Sequence, residues 1–186
     1  MRVVSVFVML LLSAGTAAAQ QDPPPEAAGD LAEVMRSILF PNSNLIFDAQ
    51  SADPGAPPAE AAGGDSTTAR FSGIYTGWEQ VENAAVALAE AANLITLPRL
   101  CENVEDDPAR NGNPVPIERD DWKQHTARLR EVGLAAVEWA RRQQYDEDEV
   151  LFITGDIAEA CANCHSVYRD SYTDPPTPRC TPPSED

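Results

Sequence analysis

Two thiols and an imidazole stand within five consecutive residues, Cys161-Ala162-Asn163-Cys164-His165. On a helix, positions i, i+3 and i+4 share one face. Cys161, Cys164 and His165 would therefore project the same way from a single turn. Cys-x-x-Cys-His is the pattern by which a chain attaches haem covalently. Both thiols reach the two vinyl groups of one porphyrin, and His165 rises from the same face as an axial ligand to the iron. Other chemistries use similar residues. A thioredoxin-like Cys-x-x-Cys would sit at a strand-to-helix junction, and no strand pattern surrounds this one. A zinc site would want four ligands, and no second ligand pair accompanies the motif. A disulfide between Cys161 and Cys164 would cross one helical turn with poor geometry. One covalent haem c per chain is the expectation.

The N-terminus reads as an export signal. Arg2 is followed by the apolar run Val3 to Leu12 and by the small residues Ala17-Ala18-Ala19. The run is short of the about 20 apolar residues that span a bilayer. Residues 1–19 are therefore set apart from the fold, with Gln20 as the expected mature N-terminus. The expectation is a periplasmic protein, not inserted in the membrane once the signal is removed. No Cys lies near the cleavage site to carry a lipid anchor. Export also places the four cysteines in an oxidising compartment.

The chain has 186 residues and a formal net charge of -17. Phosphate binding needs a Lys/Arg surface, so the balance argues against a nucleic-acid partner. It would favour a basic docking partner, steered at long range. That acidity only keeps an exported protein soluble is a reading of equal weight.

The elements that must position the motif are read from periodicity. Residues 20–28 are a Pro-rich, polar leader expected to be disordered. Asp30 caps a first helix with Leu31, Val34, Met35 and Ile38 on one face. Pro41 should interrupt it, and Asn42-Ser43-Asn44 is turn chemistry. Residues 51–68 form a long loop, expected to be mobile. Ile74, Trp78, Val81, Ala85, Leu88, Ala92 and Ile95 mark a helix from about Phe71 to Leu97, stopped by Pro98. A third helix runs from Pro116 or Ile117 to about Tyr145, with Trp122, His125, Leu129, Val132, Ala136 and Trp139 on its apolar face. A fourth begins near Glu147, carries the motif, and is closed by Pro175-Pro176. Residues 173–186 are a Pro-rich tail. Four amphipathic segments and no strand pattern predict an all-α, antiparallel four-helix bundle over residues 29–172.

The position of the motif on the last helix, in Cys-Ala-Asn-Cys-His-Ser-Val-Tyr-Arg, resembles the class II c-type cytochromes: cytochrome c-prime and its six-coordinate, Met-ligated relatives. Asp121-Trp122 opening the third helix and the short helix with Met35 share in the resemblance, which spans residues 30–171. It implies a left-handed antiparallel bundle, often a homodimer, with haem on the C-terminal helix. It also implies that Arg169 lies by the haem and that Trp122 is near it. The chain departs from the family pattern in its 51–68 loop, its Pro41 and its second cysteine pair.

The sixth ligand divides the functional readings, because axial ligation sets potential and access. Outside the signal segment Met35 is the only methionine. It is the expected sixth ligand, and with it the chain would be an electron carrier exchanging electrons with a redox partner protein. His125 could also ligate iron, though a buried His paired with a propionate or carbonyl is the simpler reading. An open sixth position would instead bind nitric oxide or carbon monoxide. No nucleophile–base pair, phosphate loop or paired-carboxylate site is present in the sequence, so no catalysis is expected. Cys101 and Cys180 follow the second and fourth helices, which run the same way in an up-down-up-down bundle. A Cys101–Cys180 disulfide is therefore expected.

Overall fold

The computed structural model describes residues 26–57, 66–67, 73–108, 111–169 and 177–181. The export signal, most of the leader, part of the 51–68 loop, Phe71, Pro175-Pro176 and most of the tail lie outside the described residues. Those described form an all-α fold of four helices packed against each other. No strand occurs among them, only an isolated antiparallel bridge between Leu100 and Pro114.

The first helix occupies residues 31–50 and is built of unlike pieces. Asp30 and Glu33 form a capping box: Glu33 N donates to Asp30 Oδ1 at 2.7 Å and Asp30 N donates to Glu33 Oε2 at 2.9 Å. An α-helical turn, Leu31–Val34, passes into a π-helical turn, Met35–Leu39, then α again over Phe40–Phe47, and ends in the 3-10 turn Asp48–Gln50. The expected break at Pro41 does not occur, nor the turn at Asn42-Ser43-Asn44. Proline lacks an N–H and its ring collides with the carbonyl four residues back in an α-helix. The wider turn ahead of Pro41 relieves that collision, with Phe40 N donating to Met35 O. Side chains take up main-chain carbonyls there: Ser37 Oγ donates to Glu33 O, Asn42 Nδ2 to Ile38 O and Ser43 Oγ to Phe40 O. The polar trio expected to turn the chain thus keeps it helical.

The second helix is Trp78–Leu94, shorter than its apolar periodicity predicts. Tyr75 and Gly77 have φ of 59° and 62°, which no α-helix includes. Ile74, expected on the seam, is half exposed ahead of the helix. A Cβ on Gly77 would come within 2.6 Å of Pro54 O, so glycine is required there twice over. The third helix, Asp120–Arg142, opens on two acids, closes on two arginines and stops at Gln143 in the left-handed region. The fourth, Glu147–Tyr168, is capped by Asp146, which accepts from Glu149 N at 2.9 Å.

Successive helices run in opposite senses. Pro54 meets Gly77 at one end of the first pair, while Leu31 N donates to Leu100 O at the other. Arg141 pairs with Glu82 at 2.8 Å while Gly133 lies on Ala89. Arg128 pairs with Asp156 at 3.2 Å while Trp122 packs on Tyr168. Trp78 and Trp139 meet edge to face at 5.2 Å in the core, to which the second helix also contributes Ala84, Ala85, Ala91 and Ala92. The first and last helices meet near Gln50 and Thr154, joined by a 2.7 Å side-chain hydrogen bond. Toward their other ends lies a cavity. Among the described residues no helix is long and apolar enough to cross a membrane.

Candidate functional site

The cavity has a volume of about 630 Å³. Its walls gather every residue singled out from the sequence for cofactor chemistry: Met35, Trp122, Cys161, Cys164, His165 and Arg169, with His125 and both Cys101 and Cys180. More than 120 positions of chain separate Met35 from Cys161. The bundle returns them to the walls of one space because the first and fourth helices are its adjacent, diverging members.

Each wall has a local cause. The fourth helix places Cys161, Cys164 and His165 on one face, two half-buried thiols packed against the apolar core and a half-buried imidazole. Met35 opens the π-helical turn, half-buried against the core, with Leu31 and Leu39 beside it on the cavity wall. π turns inside α-helices re-aim side chains and recur at functional sites. The third helix contributes Trp122, His125 and Leu129 at helical spacing. Trp122 and Tyr168 meet edge to face at 5.1 Å, and His125 and Tyr168 at 6.1 Å. The open rim holds Phe40, 67% exposed.

Burial, first, and then the charge of Cys161 and of Asp121 push the Cys164 thiol up to about 12. Burial also raises that of Cys161. Burial of this kind disfavours the thiolate form at both sulfurs. No cluster of three or more His, Cys, Asp or Glu suited to a bare metal ion occurs among the described residues.

The donor set and the walls fit an iron porphyrin. Two thiols one turn apart would offer covalent attachment, and an imidazole and a thioether are donors of the kinds iron takes. Leu31, Leu39, Leu88 and Leu129 give apolar surface for a flat ring. Trp122 is 1% exposed, and its Nε1 has no hydrogen-bond partner among the described residues. The Nε1 of Trp139, off the cavity wall, is likewise without a partner among the described residues, so only at Trp122 could a carboxylate-bearing ligand in the cavity serve as acceptor. Three arginines, Arg36, Arg169 and Arg179, stand on the same walls in a chain of net charge -17, a local surplus suited to propionates. Arg179 also pairs with Glu102 at 3.3 Å.

Several participants escape the motif-based reading. Arg36 follows Met35 and would have been found by asking which cation accompanies the methionine. Arg179 is adjacent to Cys180 and follows once the disulfide is drawn. Tyr168 and Asp121 stand in the family pattern, but Arg119, which joins them into a polar cluster, does not. Arg119 grips Asp121 through Nε and Nη2, at 3.0 and 3.1 Å, and its Nε also reaches the Tyr168 hydroxyl at 3.3 Å. The hydrogen bond from Arg119 is the leading cause that holds the Asp121 carboxyl at about 2. No sequence spacing announces that cluster, because it joins residues 49 apart. Trp139, on the same predicted stripe as Trp122, packs against Trp78 in the core and is not on the cavity wall.

The structure joins Cys101 and Cys180 in a disulfide with 6.0 Å between their Cα atoms, consistent with an oxidising compartment. Compared with known proteins, the chain matches no family model, no curated protein and no solved structure.

Proposed function

We propose that this chain is an exported, mono-haem c-type cytochrome of the class II kind, an antiparallel four-helix bundle that carries electrons. One observation carries the reading: Cys161, Cys164 and His165 on one helical face share a cavity with Met35 from the facing helix. In that reading Cys161 and Cys164 would hold haem c covalently, and His165 and Met35 would ligate its iron. Haem, when bound, supplies one-electron chemistry at iron. The chain does the rest. The leucines and Trp122 exclude water, and the indole N–H with Arg36, Arg169 and Arg179 balances the propionates. A thioether ligand raises the potential, and a filled coordination sphere limits reorganisation on electron transfer. The acidic surface steers a basic redox partner.

The test is the absorption spectrum of the protein expressed with its haem-attachment machinery, oxidised and reduced, with and without carbon monoxide. A c-type pyridine haemochrome is expected. So is a ferric charge-transfer band that Met35→Ala abolishes, with little carbon monoxide binding in the parent protein. Absence of the haemochrome would overturn the reading. A high-spin spectrum that shifts with carbon monoxide, unaffected by Met35→Ala, would replace the carrier with a five-coordinate gas-binding haem protein.

A further inference from the structure

The helix that carries Met35 begins on the segment that holds Cys101. Its first four main-chain N–H groups need acceptors from outside the helix ladder. Leu31 N donates to Leu100 O at 2.9 Å and Ala32 N to Cys101 O at 3.0 Å. Glu33 N goes to the Asp30 carboxylate and Asp30 N to the Glu33 carboxylate. The other oxygen of Asp30 accepts from Asn103 N at 2.7 Å, fastening the cap to the same segment. At the far side, the helix that carries His165 ends on the segment that holds Cys180. Tyr168 O, in its last turn, accepts from Cys180 N at 2.9 Å.

The two attachment points are symmetric about the cavity. Ala32 lies three residues before Met35, and Tyr168 lies three residues after His165. Between them run one hydrogen bond, the Cys101–Cys180 bond and a second hydrogen bond. Both half-cystines are buried and both line the cavity. The same two helices touch directly at their opposite ends, at Gln50 and Thr154. The disulfide is thus the covalent member of the span across the end where they diverge.

We propose that Cys101–Cys180 is a positioning clasp for the axial ligands: it fixes the separation between the Met35 and His165 helices and so keeps Met35 on the iron. The inference rests on the haem reading given above. The thioether bond to iron is weak and reversible, so a small widening of the gap shifts the equilibrium toward the Met-free form. Asn113 N donates to Arg179 O at 2.9 Å and Asn113 Nδ2 to Thr181 Oγ1 at 3.1 Å. These bonds keep the 179–181 segment in place when the sulfur bridge is gone, so the bundle loosens at one end without unfolding.

The experiment compares the parent holoprotein with Cys101→Ala/Cys180→Ala. The double variant is expected to retain its c-type haemochrome and helical circular dichroism. It is expected to lose most of the Met35-dependent ferric band and to shift to lower potential. Its ferrous form is expected to bind carbon monoxide more tightly by the factor by which the Met-free form gains population, on the order of tenfold. A folded, haem-loaded variant with the parent's band and potential would overturn the clasp alone.

If the double variant does not fold, the folded ferrous parent is treated with a dithiol. The S–S bond breaks, the two cysteines gain two electrons and two protons, and the dithiol leaves as its own disulfide. Alkylation confirms two new thiols. Unchanged carbon monoxide affinity then overturns the proposal. A parent protein with haemochrome but no Met35-dependent band would overturn the axial assignment and the clasp together. Absence of haemochrome would overturn the underlying haem reading.

Discussion

Gly133 lies so close to Ala89 that a Cβ on it would stand 2.8 Å from the Ala89 main-chain nitrogen and 2.9 Å from its Cα. The second and third helices therefore touch nearly backbone to backbone. Gly133→Ala should push them apart. Overpacking of this kind costs about 1–3 kcal/mol, partly offset by about 1 kcal/mol from the better helix former. The expected result is a lower midpoint in urea denaturation, and Gly133→Leu should fall much further. A midpoint raised by the alanine, or left unchanged by the leucine, would refute the close approach.

Asp30 serves two N–H groups, Glu33 N and Asn103 N, each at 2.7 Å. Asp30→Ala leaves both without this acceptor at the start of the Met35 helix. The expected loss is about 2 kcal/mol, a cap plus a second unmet donor. Glu33→Ala removes only the returning half of the capping box and should cost less. The two are ranked by equilibrium unfolding, and equal losses would mean that the Asn103 contact contributes nothing.

How much of this was legible in the residues varies with the kind of information required. Cys161, Cys164 and His165 announce themselves because their chemistry and helical spacing coincide. The cap at Asp30 is equally local. The third and fourth helices were readable because amphipathic periodicity runs through their cores. The start of the second helix was not, since the chain turns through positive φ at Tyr75 and Gly77, and Gly77 lies against Pro54 from a distant part of the chain. Pro41 misled for a related reason. A proline breaks an α-helix, but a π turn ahead of it gives the ring room, and Asn42 and Ser43 bond carbonyls of their own helix. The Trp122, Tyr168, Arg119 and Asp121 cluster needed the fold itself.

The π turn makes its own prediction. Pro41→Ala restores an N–H and removes the ring, so the Met35–Leu39 turn loses its reason to be wide. The helix should relax toward α geometry and rotate Met35 relative to the cavity. The expected signature is unchanged or greater helical circular dichroism and, on the proposed haem reading, a weakened Met35-dependent ferric band. A band of parental strength would show that the π turn does not depend on Pro41.

Acid titration tests the Asp121 cluster. Its carboxyl is held at about 2, below the ordinary 3.8, chiefly by the hydrogen bond from Arg119. A lowered folded-state value means stability that is present above about pH 4 and lost as the pH falls toward 2. Acidification also relieves the repulsion of a chain with net charge -17, so the comparison must be made against Asp121→Asn. The parent should lose stability relative to the variant across that window, and fluorescence of Trp122, packed on Tyr168, should follow. Parallel curves for the two proteins would mean that the contact contributes nothing to folding.

The disulfide closes a span of 79 residues, whereas the two thiols of the motif are three apart. In an unfolded chain, bringing the distant pair together costs roughly 3 kcal/mol more by loop closure, and four cysteines admit three complete pairings. Proximity alone would let an oxidant join Cys161 to Cys164 first. The Cys101–Cys180 pairing is therefore selected by the fold and not by nearness along the chain: the assembled helices supply a proximity that the unfolded chain lacks.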